Sequence, residues 1–93
     1  MGDDQPVVLE RMKNLGPISA ARLRSAGIET PEELRRLGAV EAYARLKRVF
    51  PVETTPTLLY MLHGAVTGVR WHALSEESRA ALRDAVARRL LGH

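Results

Sequence analysis

One short stretch of this chain has the residue types of an anion-binding turn. Asn14 and Gly16 are residue types that tolerate a left-handed backbone, and Pro17 is pre-set for the first position of a helix. The backbone N–H groups of Ile18 and Ser19 would then be free at a helix N-terminus, where the helix dipole favours negative charge. The stretch therefore predicts a site for an anion such as a phosphate group.

Positive charge surrounds this turn, because residues 11–24 carry four basic side chains and no acid. A turn between two short helices with cations around it is typical of the helix-hairpin-helix, a module that usually holds the backbone of nucleic acid. Seven residues are therefore candidates for a nucleic-acid site: Lys13, Asn14, Gly16, Ile18, Ser19, Arg22 and Arg24. The alternative is that the turn only packs two helices and that its cations form a solvated face.

The sequence has no arrangement typical of an enzyme or a metal site. It contains no cysteine, and no two of its histidines, His63, His72 and His93, have the helical i, i+4 spacing of metal ligands. The acid pairs at 32–33 and 76–77 fall in the first turns of expected helices, where capping explains them. We therefore predict no catalytic residue, no metal, no cofactor and no small-molecule substrate.

The composition is that of one small domain. The chain has 93 residues, 45% of them hydrophobic and 27% charged, which is enough to bury one core. Its formal charge of +3 permits a nucleic-acid partner without requiring one. The absence of cysteine fits a reducing cytosol, and the acidic start of the chain is unlike a signal peptide. We predict a disordered tail over residues 1–6, a single domain over 7–92, a cytoplasmic location and no contact with membranes.

Helix-forming patterns run through almost the whole chain, without the sustained alternation typical of strands. We predict an all-α fold, a compact bundle of five to six short helices that contains the helix-hairpin-helix-like motif. Thr30 and Glu33 have the spacing of a capping box, and Gly27 and Gly38 are typical helix ends. The expected helices cover residues 7–13, 17–26, 31–37, 40–49, 57–67 and 76–91.

Two later segments are expected to fill the core. The helix over 57–67 is apolar nearly all round, which predicts that it is buried on several sides. Trp71 is expected to pack beneath the connector that follows, since few other aromatic residues offer such a large area. The alternative is that Trp71 forms, with Arg70 and His72, a surface patch for a partner. Arg79 and Arg83 are expected to form a solvated basic stripe on the last helix, with partner binding as the alternative.

The chain resembles a known family over about residues 12–85. The residues that carry the resemblance include the runs Asn14-Leu15-Gly16-Pro17, Ala26-Gly27-Ile28 and Leu58-Leu59-Tyr60, with Gly68-Val69 and Trp71. In these residues it is similar to the C-terminal domain of the TfoX/Sxy competence regulators. The resemblance implies an all-helical fold related to helix-hairpin-helix domains and, in bacteria, a part in regulating genes for natural transformation. This chain has Ile18 where the family often has lysine.

Two functions from different classes follow. The first is a non-enzymatic regulatory module that binds nucleic-acid backbone, with DNA as the partner, through the turn over residues 14–19. The second is a protein-interaction module, with another protein or a second copy of this chain as the partner, in which the turn is purely structural. A clustered positive face would favour the first, and an exposed apolar patch near Ile18, or around Trp71 and Leu91, would favour the second.

Overall fold

The computed structural model of the chain describes residues 8–92. Within this range the backbone forms four α-helices and two short 3₁₀ turns, and no strand. The helices are α1 (Pro17–Ser25), α2 (Pro31–Val49), α3 (Pro56–Thr67) and α4 (Glu76–Leu90). The 3₁₀ turns cover Leu9–Arg11, before α1, and Trp71–Ala73, between α3 and α4. The predicted all-α class is therefore confirmed. None of the helices in the described range is long and apolar enough to cross a membrane.

The predicted number of five to six helices is wrong. The opening helix expected over residues 7–13 is one 3₁₀ turn, because the backbone of Met12 is already extended. The helices expected over 31–37 and 40–49 form the single helix α2, which is kinked at Gly38. Gly38 has φ 84° and ψ 163°, so it changes the direction of the chain, but helical structure resumes at once on the other side. The predicted tail over residues 1–6 lies outside the described residues.

Local signals set the helix ends as predicted. In the capping box of α2, the Glu33 N–H donates to Thr30 Oγ1 at 3.1 Å, and the Thr30 N–H donates to the Glu33 carboxylate at 3.2 Å. Helix α1 ends at Gly27, whose φ of +87° lets the Ile28 N–H turn back and donate to the Leu23 carbonyl at 2.9 Å. These local signals fix the end of α1 and the start of α2.

Helix α3 is the centre of the core, as its apolar composition predicts. It packs most extensively against α2 and also contacts α4 and the 3₁₀ turn Trp71–Ala73. Six of its residues are buried: Leu58, Leu59, Tyr60, Leu62, Gly64 and Ala65. Helix α4 instead buries only Val86 and covers α2 and α3 from outside. The C-terminal end of α3 therefore provides a fixed surface on which the residues before α1 can pack.

Candidate functional site

The turn before α1 differs from the prediction at one of its two flexible residues. Asn14 has a left-handed backbone with φ 73°, as expected. Gly16 is extended, with φ −139° and ψ −169°, so it does not use the conformational freedom of glycine. Gly16 is the N-cap of α1, and no described side chain caps this helix. The N–H groups of Ile18 and Ser19 consequently remain available at the start of α1.

The side chain of Asn14 bonds to the protein rather than facing a ligand. Its Nδ2 donates to the Val69 carbonyl at 2.9 Å and to the Met61 carbonyl at 3.3 Å. Its Oδ1 accepts from the Trp71 N–H at 3.2 Å. Both amide hydrogens are therefore used within the protein, which gives Asn14 a structural role, and its contact with nucleic acid stays a prediction.

Gly64 makes this arrangement possible. A Cβ atom added at Gly64 would overlap Asn14 Nδ2 and the Val69 carbonyl oxygen. The sequence analysis missed this residue, although a glycine within an otherwise apolar helix is a signal of close backbone approach. The turn before α1 therefore docks on the end of α3 because Gly64 has no side chain.

The four cations predicted around the turn fall into different environments. Arg24 donates two hydrogen bonds to the Glu10 carboxylate, at 2.7 and 2.8 Å. These bonds lower the pKa of Glu10 to about 2 and raise the pKa of Arg24, so this pair offers no free positive charge. The Arg22 guanidinium lies over the Phe50 ring, 5.8 Å from its centroid. Arg11 and Lys13 are exposed, and neither belongs to an ion pair among the described residues.

Lys13 opens onto a cleft that the sequence did not reveal. This cleft, which we call the basic cleft, has a volume of about 340 Å³. It is lined by Lys13, Asn14, Arg70, Trp71 and His72. Arg70 is exposed and, like Lys13, is absent from the ion pairs within residues 8–92. The hydrogen bonds of Asn14 bring the two parts of the chain together, so two cations from distant positions face one volume.

The aromatic side of the basic cleft is anchored to the core. Trp71 is half-buried and stacks on Tyr60 with ring centroids 6.5 Å apart, while the exposed His72 ring lies 4.1 Å from the Trp71 ring. Trp71 thus packs against the core, as expected, and its other contacts leave it also lining the cleft.

Arg79 and Arg83 do not form the solvated stripe that was expected. The Arg79 guanidinium carbon lies 5.2 Å from the Tyr60 centroid and 5.4 Å from the Trp71 centroid. Arg83 donates to the Tyr60 hydroxyl at 2.6 Å and to the Glu76 carboxylate at 2.9 Å. Both arginines hold α4 against the aromatic rings, and the guanidinium of Arg83 lowers the pKa of Glu76.

The remaining predicted site residues lie at the start of α1. Ile18 is 69% exposed, and Ser19 is half-buried. Of the seven predicted residues, the basic cleft contains Lys13 and Asn14. Arg70 and His72 were predicted only as neighbours of Trp71 in an alternative partner patch, not as part of the nucleic-acid site. The run Arg70-Trp71-His72 was the sequence signal for them, since it places a cation and two aromatic rings together.

These features define a small all-helical domain with a surface cleft that combines positive charge and aromatic rings. No group of His, Asp and Glu within residues 8–92 is arranged to hold a metal ion. A family model of the TfoX C-terminal domain matches residues 6–86, and the chain belongs to this family. The resemblance seen in the sequence is thereby confirmed. The family is a regulatory one and is not known as a family of enzymes.

Two solved structures are similar to this chain over most of its length. One is the crystal structure of an uncharacterised protein from Listeria monocytogenes in a triclinic form. Its sequence is 36% identical to this chain, the TM-score is 0.80, and the alignment covers 94% of this chain and 97% of that protein's chain. The other is a protein of unknown function from Listeria monocytogenes, tetragonal form, which is 35% identical with a TM-score of 0.78 and covers 86% of this chain and 98% of its own. No curated protein matches the chain.

Proposed function

We propose that this domain is a non-enzymatic regulatory module that binds the backbone of nucleic acid, with DNA as its partner. One observation carries the proposal: Lys13 and Arg70 line the same cleft, and neither is neutralised by an acid within residues 8–92. Two unpaired cations facing one concave volume suit phosphate groups, which repeat along every nucleic-acid strand.

The turn before α1 supports the same proposal. The N–H groups of Ile18 and Ser19 receive no side-chain cap, and they follow the cleft residue Asn14 closely in the chain. In a helix-hairpin-helix-like arrangement these N–H groups donate hydrogen bonds to a second phosphate while Lys13 and Arg70 hold the first. Asn14 then shapes the turn and does not touch the ligand.

Salt dependence measures the phosphate contacts directly. Binding to a labelled DNA duplex is followed by fluorescence anisotropy between about 50 and 200 mM salt. Each phosphate contact that is lost reduces the slope of log affinity against log salt by about 0.9. We expect Lys13→Ala with Arg70→Ala to reduce the slope by nearly two. The control, Arg35→Ala with Arg88→Ala, removes the same charge from exposed positions outside the cleft and should leave most of the slope. Equal slopes for the two double variants would overturn the proposal.

A variant that gains affinity gives a second test, because a variant that fails to fold would lose affinity rather than gain it. Ile18 is 69% exposed at the start of α1, so lysine fits there without disturbing the core. If the turn faces phosphates, Ile18→Lys adds about one contact and steepens the slope by about 0.9. A slope unchanged by Ile18→Lys, with normal thermal unfolding, would show that the turn does not face the nucleic acid.

The alternative, a protein-interaction or homodimerisation module, has its own observation. Ile18, Val52 and Leu91 are 69%, 85% and 73% exposed, which is high for large apolar side chains. If they bind a second copy of the chain, light scattering should give a dimer whose dissociation constant rises with Ile18→Ser or Leu91→Ser. A monomer at all concentrations would exclude the homodimer.

A further inference from the structure

The basic cleft has features that contact with a duplex backbone alone would not use. Of the side chains that line the cleft, backbone binding uses only those of Lys13 and Arg70, yet the same volume is bordered by the rings of Trp71 and His72. In a duplex the bases are stacked and paired, so only their edges face outward. An aromatic ring at a protein surface can stack only on a base that has left the helix.

We propose that the basic cleft binds one nucleotide of a single strand, with its base packed against the Trp71 and His72 rings and its phosphate held by Lys13 and Arg70. This inference rests on the proposed function, because it assigns to the same cleft the form of nucleic acid that it prefers. Single-stranded DNA and RNA share the required chemistry, which is a free base with an adjacent phosphate.

The size of the cleft fits a single nucleotide. Its volume of about 340 Å³ lies at the lower end of the range for small-ligand sites, about 300 to 1,000 Å³. A single nucleotide is a ligand of this small size, whereas a base pair is larger. The lining residues also divide into two cations for the phosphate and two rings for the base.

The ring pair is held in place before any ligand binds. The Trp71 N–H donates to Asn14 Oδ1 at 3.2 Å, and the Trp71 carbonyl accepts from Arg79 at 3.3 Å. The Trp71 ring stacks on Tyr60, and the centroid of the exposed His72 ring lies 4.1 Å from that of Trp71. A fixed aromatic surface loses little conformational entropy on binding, which favours stacking of a base.

The intrinsic fluorescence of Trp71 tests the proposal, since Trp71 is the only tryptophan of the chain. The probes are an oligothymidylate, an oligouridylate, an abasic DNA strand of the same length and a duplex of the same length. We expect both base-containing single strands to quench Trp71 emission and to bind about fivefold to a hundredfold more tightly than the abasic strand. In His72→Ala, most of this difference in affinity should disappear, and His72→Phe should restore it because an aromatic ring is present again. Arg88→Ala, outside the cleft, is the control and should behave as the wild type.

The outcomes separate this inference from the function on which it rests. If the abasic strand and the oligothymidylate bind equally and Trp71 emission does not change, backbone binding stands and the single-strand inference is wrong. Tighter binding to the duplex than to the single strands has the same meaning. If no probe binds at about 50 mM salt, both the inference and the proposed function are wrong.

Discussion

Asn14 provides the most direct test of how this fold is held together. Its amide makes three hydrogen bonds, to the Val69 and Met61 carbonyls and from the Trp71 N–H. Its backbone also has φ 73°, a conformation that alanine adopts only with strain. Replacing Asn14 with alanine removes the hydrogen bonds and adds the strain, while replacing it with glycine removes only the bonds.

The expected losses follow from these two terms. The bond to Met61 is long at 3.3 Å and the site is only partly buried, so water replaces part of what is lost. At about 1 kcal/mol per effective bond, the three bonds contribute about 2 kcal/mol to the free energy of unfolding. The left-handed backbone costs alanine about 1 kcal/mol more. We therefore expect Asn14→Ala to lose about 3 kcal/mol and Asn14→Gly about 2 kcal/mol.

Urea denaturation measures both losses, with Trp71 fluorescence and far-UV circular dichroism as independent probes of one transition. The corresponding falls in melting temperature are about 12 to 24 °C for alanine and about 8 to 16 °C for glycine. Lys13→Ala, at an exposed neighbour without an ion pair among the described residues, is the control and should stay within about 0.5 kcal/mol of the wild type. A loss below about 0.5 kcal/mol for Asn14→Ala would refute the structural role of this residue. Equal losses for alanine and glycine would refute the contribution of the left-handed backbone.

Three other expectations rest on single observations. Gly64→Ala should reduce the free energy of unfolding by about 1 to 3 kcal/mol, because the added Cβ overlaps the Asn14 amide and a backbone carbonyl. In a double-mutant cycle measured by urea denaturation, the cost should be smaller in the Asn14→Ala background. Additive costs would contradict the overlap. Gly38→Ala should reduce the free energy of unfolding by about 1 to 2 kcal/mol because Gly38 has a φ of 84°. Gly16 is extended and has open space around it, so Gly16→Ala should be nearly neutral. Equal melting temperatures for the two variants would contradict the kink. Since the pKa of Glu10 falls from 4.5 to about 2 on folding, its ion pair stabilises the protein above about pH 4.5 and is lost as the pH falls toward 2. Glu10→Gln should therefore reduce the fall in melting temperature across that window, and an unchanged pH profile would show that the pair contributes nothing.

The sequence predicts those parts of the fold that are encoded by neighbouring residues. The capping box at Thr30 and the left-handed helix end at Gly27 each depend on a few residues in one turn, so their position follows from residue type. The burial of α3 follows from its composition, since a helix with apolar residues on all sides has no face that favours water. For Gly38 the residue type gives two possibilities, a helix end or a kink, and only the packing of both halves of α2 decides between them.

The site is less predictable because its residues come from distant positions. The hydrogen bond between Asn14 and Trp71 joins residues 57 positions apart. The partners of the Asn14 side chain are backbone groups, which every residue type has, so the sequence does not reveal them. Charge in a sequence window is also misleading, since Glu10 lies just outside residues 11–24 and neutralises Arg24. Arg70 lies in the same cleft as Lys13 because helix α3 positions the segment that follows the helix, and this packing cannot be predicted from neighbouring residues.

The position of Asn14 between the core and the cleft determines how binding data from variants must be interpreted. Asn14 bonds to the Trp71 backbone, and Trp71 lines the cleft, so we expect Asn14→Ala to disturb the cleft through the position of Trp71. Loss of binding in that variant therefore does not distinguish a ligand-contacting residue from a positioning one. Lys13 and Arg70 are exposed and belong to no ion pair within residues 8–92, so we expect their removal to have little effect on stability and, if the proposed function is correct, to lower affinity. A cleft that binds nucleic acid should separate the two effects: variants of Lys13 and Arg70 change the salt dependence at constant melting temperature, whereas variants of Asn14 change both together.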